Sequence, residues 1–389
     1  MPVEFISTIN VNPANEINGL QLTDIDVPFL RRYARTLEEV GFDYTLIPYG
    51  SPSYDPFTIA TAVTQFTEQL RPIVALRPHT LYPTVAAKAL ATLDQLSAGR
   101  AVVHFISGGS EAEQAREGDY LGREERFERQ AEYIEVLRKV WASPEPFDHE
   151  GRYYTFEDFV SRIRPVNGTI PVSLGGSSGA ALHNGGALAD IVGLWGEPAA
   201  NIKAQIDTFT QAAHRAGRLD LPRTWVTFRP IVAATDEAAW ERAHRTLATL
   251  SSSRPVFGRG TLRTAAPDHP ATPIARALAS RHTAEQVHDQ SLWTPTVASI
   301  GTPGVSAALV GSYERVAATI VEYVDLGVDL ISIRGYDDLN DAITYGRFLL
   351  PLIRQELAHR ERSRRPALPR PSAAGVQRAV RQLATSQAT

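Results

Sequence analysis

Apolar and polar positions follow two periods in alternation along this chain. Short apolar runs, most of them closed by Gly or Pro, predict strands at Val3–Thr8, Tyr44–Ile47, Pro72–Arg77, Ala101–Ile106, Pro171–Leu174, Asp190–Trp195, Thr224–Ala233 and Leu330–Arg334. Between them, apolar residues recur every three or four positions. That spacing predicts helices at Pro28–Val40, Phe57–Thr67, Thr84–Leu96, Arg126–Trp141, Gly179–Leu188, Asn201–Ala216, Tyr313–Leu326 and Leu339–Leu357. In the first helix Phe29, Leu30, Tyr33, Leu37 and Val40 share a face, and Gly41 ends it. Phe147–Tyr154 reads as a small side hairpin. Thr235–Gly311 reads as irregular helix with a Pro/Ser-rich centre at 251–273. Strand and helix alternate throughout, which calls for a parallel sheet with helices outside it. Eight units favour a closed (β/α)8 TIM barrel, an α/β fold, over an open doubly wound sheet. The expected organisation is one barrel domain over 1–360 with an insertion at about 235–311 after strand seven. The Pro/Ala/Arg-rich segment 361–389 then forms a flexible or partner-docking tail.

Composition narrows the chemistry. With 389 residues, 43% of them hydrophobic, the chain can bury a sizeable core. A balance of 39 Lys+Arg against 43 Asp+Glu leaves a net charge of −4, with no electrostatic footprint for nucleic acid. Cysteine is absent, which excludes disulfides, thiolate metal sites, iron–sulfur clusters and a cysteine nucleophile. No apolar run approaches the roughly 20 residues of a membrane helix, and MPVEFISTINVN lacks the pattern of a signal peptide. The expectation is a cytoplasmic protein that engages neither membrane nor nucleic acid.

In a barrel of this kind chemistry gathers at the carboxyl ends of the strands. The residues there show no HxH, HExxH or carboxylate triad, so no metal is expected. Gly175-Gly176-Ser177-Ser178 opens a helix and suits a phosphate, or it is a tight turn with serine caps. Ser107-Gly-Gly109 stands at the matching place one unit earlier. Trp195 walls a planar cofactor or packs at the rim. Arg229, inside the apolar WVTFRPIVAA, requires an anionic ligand or an ion pair with a carboxylate of the barrel floor. Tyr336 is a hydrogen-bond donor to an oxyanion or a rim residue. His79 and His104 lack a neighbouring carboxylate in sequence that would mark a base.

Taken together, YTLIPYGSPSYDPF, PTVAAKALATLDQLSAGR, VVHFISGG, REERFERQAEYIEVLRKVW, PVSLGGSS, LWGEP, FRPIVAAT and ALVGSYERVAATIVEYVDLGVDLISIRGYDDL resemble the bacterial-luciferase-like flavin monooxygenases, and among them the alkanesulfonate monooxygenase group. The resemblance implies a (β/α)8 barrel with a long insertion after strand seven. It also implies reduced flavin mononucleotide (FMNH2) from a separate NAD(P)H-dependent flavin reductase. O2 would be used through a flavin C4a-(hydro)peroxide to oxygenate a small organic substrate, a sulfonate, sulfone or nitrogen compound. Relatives of this kind are homodimers or homotetramers. The resemblance assigns Arg229, Tyr336 and Trp195 to catalysis. His104, Ser107, Arg126, Gly176, Ser177 and Ser178 go to FMN, and Tyr54 and His79 to substrate. Deazaflavin-dependent hydride transfer and a non-catalytic flavin-binding barrel are the alternatives.

Several positions depart from the alkanesulfonate pattern. Tyr54 stands where that group carries Cys, and Arg229-Pro-Ile231 lacks its His. An arginine of its mobile loop is replaced near Thr302. Asp338 stands where it has His, and Phe127 where members often have Tyr. Loss of a His and an Arg argues against recognition of a simple sulfonate.

Overall fold

The computed structural model describes residues 3–20, 22–107, 111–252, 287–296 and 307–364. Its strands follow chain order: β1 (Glu4–Thr8), β2 (Tyr44–Ile47), β3 (Arg71–Leu76), β4 (Val102–Phe105), the side hairpin β5 (Phe147–Glu150) and β6 (Thr155–Phe159), β7 (Val172–Gly175), β8 (Ile191–Trp195) and β9 (Arg223–Ala233). β10 (Val287–His288), β11 (Leu292–Trp293), β12 (Ala308–Ser312) and β13 (Leu330–Ile333) complete the set. Strands β1–β4, β7–β9 and β13 are all parallel and form a closed eight-stranded barrel. β13 seals it against β1, with Glu4 opposite Leu330 and Ile6 opposite Ser332. The helices lie between strands: α1 (Val27–Glu39), α2 (Pro56–Phe66), α3 (Pro83–Leu96), α4 (Glu111–Ala115), α5 (Arg123–Ala142), α6 (Gly179–Leu188), α7 (Ala199–Arg215), α8 (Asp236–Ser252), α9 (Tyr313–Asp325), α10 (Asp338–Thr344) and α11 (Leu350–Arg364). Asp26 and Asp55 start α1 and α2, accepting from the amides of Phe29 and Thr58 just before a proline-led first turn.

The two-residue period of each strand divides the core. One face sends Ile6, Tyr44, Ile73, Val102, Ile191, Trp225 and Leu330 into the barrel interior, while the other packs on the helices. The floor is closed by charge: Glu4 accepts from Arg71 at 2.8 Å and from Arg223 at 2.5 Å, and Arg71 also reaches the Tyr44 hydroxyl at 2.7 Å. The floor carboxylate is therefore already paired and leaves Arg229 to find its partner elsewhere.

Between α6 and α7 the chain needs a residue without a side chain. A Cβ on Gly186 would sit 2.1 Å from the Phe209 carbonyl oxygen and 2.7 Å from the Ala212 Cβ. Gly186→Ala is expected to push the two helices apart and cost about 1–3 kcal/mol. Urea unfolding measures it, and an unchanged midpoint would show that the helices give way freely.

The insertion differs from the helical reading. Among its described residues α8 and residues 295–296 are helical, while the hairpin β10–β11 and strand β12 build a small sheet on the upper half of β9. β12 runs parallel to that half, with Ala308 opposite Arg229 and Ser312 opposite Ala233. β9 is long enough to carry both sheets: its first residues pair with β8 and β13, its last with β12. The free backbone groups beyond the barrel rim recruit the apolar run ALVGS as a strand. Its core holds Ile231, Ala239, Trp293, Val310 and Tyr336. Thr302 and most of the Pro/Ser-rich centre lie outside the described residues. The single helix expected at Leu339–Leu357 is instead α10, a π-helical turn at Tyr345–Leu349 and α11. Pro351 supplies no amide to the ladder there, which favours the wider turn, and Tyr345 donates to the Pro230 carbonyl at 2.5 Å. The last helix runs past Glu361 to Arg364.

Candidate active site at the carboxyl end of the barrel

Beneath the mouth, His104 fills the interior. Its Nδ1 lies 2.8 Å from the Ser173 hydroxyl and its ring 4.9 Å from that of Trp225. Two glycines make the room: a Cβ on Gly175 would stand 2.7 Å from His104 Nε2, and one on Gly193 3.2 Å from Cε1. Burial pushes the imidazole pKa down to about 4, so it is neutral at ordinary pH.

The loop from β7 into α6 follows. Gly176 has φ +137, in the region that glycine tolerates, and its amide donates to the Gly193 carbonyl at 3.2 Å. Ser178 caps α6 by accepting from the Ala181 amide at 3.2 Å, and a Cβ added at Gly179 would meet nothing within 4 Å. The helix start is thus open, with Ser177 half-buried beside it. The Ser107 hydroxyl accepts from Gln130 Nε2 at 3.0 Å. Arg126, expected beside a flavin, donates to the Ser107 carbonyl at 3.1 Å and the Leu121 carbonyl at 2.6 Å, so it also shapes the loop after β4. Gly108 and Gly109 lie outside the described residues. Ser178→Ala removes a cap, and the expected loss is about 1 kcal/mol of stability. A thermal melt matching that of the unaltered chain would show that the cap contributes nothing.

Across the mouth stands a charged cluster. Arg229 is 5% exposed. It pairs with Glu16 of the β1–α1 loop, donates to the Gly335 carbonyl at 2.6 Å, and stacks on the Tyr336 ring at 3.8 Å. The second Glu16 oxygen accepts from Arg334 at 3.1 Å, and Arg334 Nε lies 3.4 Å from Asp338. Burial pushes Glu16 upward, but Arg229 and Arg334 outweigh it and hold the carboxyl below its usual range. Burial pulls Arg229 down, and Glu16 more than offsets this, leaving the guanidinium firmly charged. The sequence offered a floor carboxylate or a ligand as the partner of Arg229; the structure supplies a carboxylate at the mouth, and Glu16 is the residue that sequence reading missed.

Tyr336 is fixed from behind, since Asp341 accepts from the amides of Tyr336 and Asp337 at 2.9 and 3.0 Å. A side chain at Gly335 would collide with that carboxylate. The buried Tyr336 hydroxyl lies beside Thr296 of the insertion, and neither hydroxyl makes a well-formed hydrogen bond. Burial raises the Tyr336 pKa against the pull of Arg229, so the phenol keeps its proton. Tyr54 donates weakly to the Ile9 carbonyl at 3.5 Å, and burial pushes it up to about 12. Trp195 ends β8 and is 37% exposed.

His79 lies apart from this cluster. Distant in sequence but adjacent in space, Glu117 and Asp119 flank it at 3.4 Å each. Arg77 holds Glu117 at 2.7 Å, and Arg129 grips Asp119 with two hydrogen bonds of 3.0 and 2.6 Å. Burial lowers the His79 pKa despite these carboxylates. His79, Tyr82, Asp119 and Tyr154 line a cleft of about 560 Å³. The carboxylates that sequence proximity did not supply come from the loop between α4 and α5. Among the described residues, no group of three or more His, Cys, Asp or Glu is arranged to hold a metal, and no helix is long and apolar enough to cross a membrane.

The site is thus the mouth of a closed parallel α/β barrel, with a glycine–serine helix start at β7 and an Arg–Tyr pair at β9 and β13. Residues 8–330 match the family model described as luciferase-like monooxygenase, and the chain belongs to that family. Solved structures share the fold at low identity. A riboflavin lyase with modified FMN and riboflavin is 19% identical with a TM-score of 0.72, covering 92% of each chain. The EDTA monooxygenase of Chelativorans sp. BNC1 is 18% identical with a TM-score of 0.73, covering 92% of this chain and 94% of that one. The coenzyme F420-dependent tetrahydromethanopterin reductase of Methanopyrus kandleri is 19% identical with a TM-score of 0.64, covering 90% and 99%. These likenesses establish the barrel; they do not single out the alkanesulfonate group.

Proposed function

We propose that this chain is a reduced-FMN-dependent monooxygenase that receives FMNH2 from a separate NAD(P)H-dependent reductase and oxygenates a small organic molecule at the barrel mouth. The observation that carries the reading is the buried Arg229–Tyr336 stack, whose phenol keeps its proton and lacks a well-formed hydrogen bond. Family membership and flavin-bound neighbours support it. The open start of α6, with Ser177, Ser178 and the bare Gly179, fits a phosphate. Ser107, oriented by Gln130, fits the edge of a ring system. FMN bound there would supply the electrons that activate O2. The protein's own part is positional. Arg229 fixes the Tyr336 ring, Tyr336 holds a proton to donate, and Trp195 covers the mouth against water. His104 stays neutral below.

Anaerobic titration with FMNH2, followed by oxygen uptake against sulfones, amides, amines and sulfonates, tests this. Binding of FMNH2 and substrate-dependent uptake are expected. The likeness to an F420-dependent reductase favours a second reading, hydride transfer with a deazaflavin. Tight F420 binding with substrate reduction and no oxygen uptake would establish that reading instead. Flavin binding without any turnover would mark a flavin carrier.

A further inference from the structure

We infer that Glu16 selects by charge, so that the molecule oxidised at this mouth carries no negative charge beside its reacting atom; the inference rests on the proposed oxygenase reading. Glu16 is not a loose surface acid. Asn15 forms a side-chain turn across it, its Oδ1 accepting from the amides of Ile17 at 3.1 Å and Asn18 at 2.8 Å. That turn presents the carboxylate inward, one oxygen to Arg229 and the other to Arg334. Exposure orders the layers: the Glu16 side chain is 27% exposed and that of Arg229 only 6%. The carboxylate therefore lies nearer the solvent than the guanidinium it covers.

An incoming sulfonate or carboxylate meets a site whose positive charge is already matched. Arg229 and Arg334 face Glu16 and Asp338, two charges against two. To reach Arg229 the anion must displace a carboxylate that is tethered in place, while the more exposed Arg334 already shares both carboxylates. A tethered group acts at an effective concentration of millimolar or above, well beyond that of a dilute metabolite. A neutral sulfone or amide of the same shape meets no such competitor. Asn10 and Tyr54 stand on the same rim, and neither adds positive charge.

The test titrates propane-1-sulfonate and the neutral methyl propyl sulfone into the full chain, with and without FMN, by tryptophan fluorescence. Glu16→Gln is expected to improve sulfonate affinity at least tenfold while changing the sulfone less than threefold. Equal sulfonate affinity in the variant and the unaltered chain overturns the inference. If Glu16→Gln does not fold, Glu16→Asp decides, because its shorter arm cannot reach both guanidiniums. A gain of about threefold in sulfonate affinity supports charge selection, and no gain overturns it. Flavin binding is followed separately by flavin fluorescence. A chain that binds FMN but shows no charge selection overturns this inference alone, and one that binds no flavin overturns the proposed function and leaves the sulfonate comparison standing.

Discussion

Replacing Arg229 by Ala is expected to lower the unfolding free energy by about 3 kcal/mol. Breaking a buried ion pair costs roughly 3–5 kcal/mol when it strands the other charge. Glu16 is partly in water and keeps Arg334, which places the loss at the low end. The same change removes the donor to Gly335 and the guanidinium over the Tyr336 ring. Arg229→Lys keeps the charge but loses the planar fork, and about half the loss is expected. Urea unfolding of both variants measures this; a loss below about 1 kcal/mol for Arg229→Ala would mean that the cluster does not depend on it. Under the proposed function Arg229→Lys also wastes oxygen, with hydrogen peroxide released in place of product. Arg229 thus has two separable readouts, one for the fold and one for the chemistry.

His104 is expected to make the protein sensitive to mild acid. Its folded pKa is pushed down to about 4 by burial, against an ordinary value of 6.5. Below about 6.5 the unfolded chain takes up a proton that the folded chain refuses, so stability falls as pH drops from about 6.5 to about 4. At 1.36 kcal/mol per pKa unit the full loss is on the order of 3 kcal/mol, and about 2 kcal/mol of it is reached by pH 5. Above about 6.5 the contribution is complete. His104→Asn removes the titrating group, so its stability should change less between pH 7.5 and pH 5 than that of the unaltered chain. Equal changes in the two would show that His104 is already protonated in the folded protein or readily becomes so.

The barrel was legible because each of its strands is a short apolar run stopped by glycine, proline or a polar turn, as in Ile191–Trp195 before Gly196-Glu197-Pro198. β12 was not. Its five residues, ALVGS, run straight into a helix and become a strand only because β9 extends past the barrel rim to receive them. The site divided in the same way. Gly176, Ser177, Ser178 and Tyr336 announce themselves by local pattern. Glu16 does not, since it sits in a polar loop 213 positions from Arg229 and only closure of the barrel joins them. His79 is likewise flanked by carboxylates that lie 38 and 40 positions downstream in its own numbering, at Glu117 and Asp119. Charge pairing across a closed sheet leaves no periodic trace.

The shared strand β9 makes the insertion difficult to remove. Arg229 to Ala233 take their ladder partners from β12, above the part of the strand that β8 and β13 occupy. A shortened chain lacking the insertion would leave those backbone groups bare on a five-residue edge whose last three residues, Ile231, Val232 and Ala233, are apolar. Such an edge invites pairing between molecules. Trimming the protein to its barrel is therefore expected to yield aggregates in place of a smaller soluble enzyme, and any circular permutant should open the chain elsewhere.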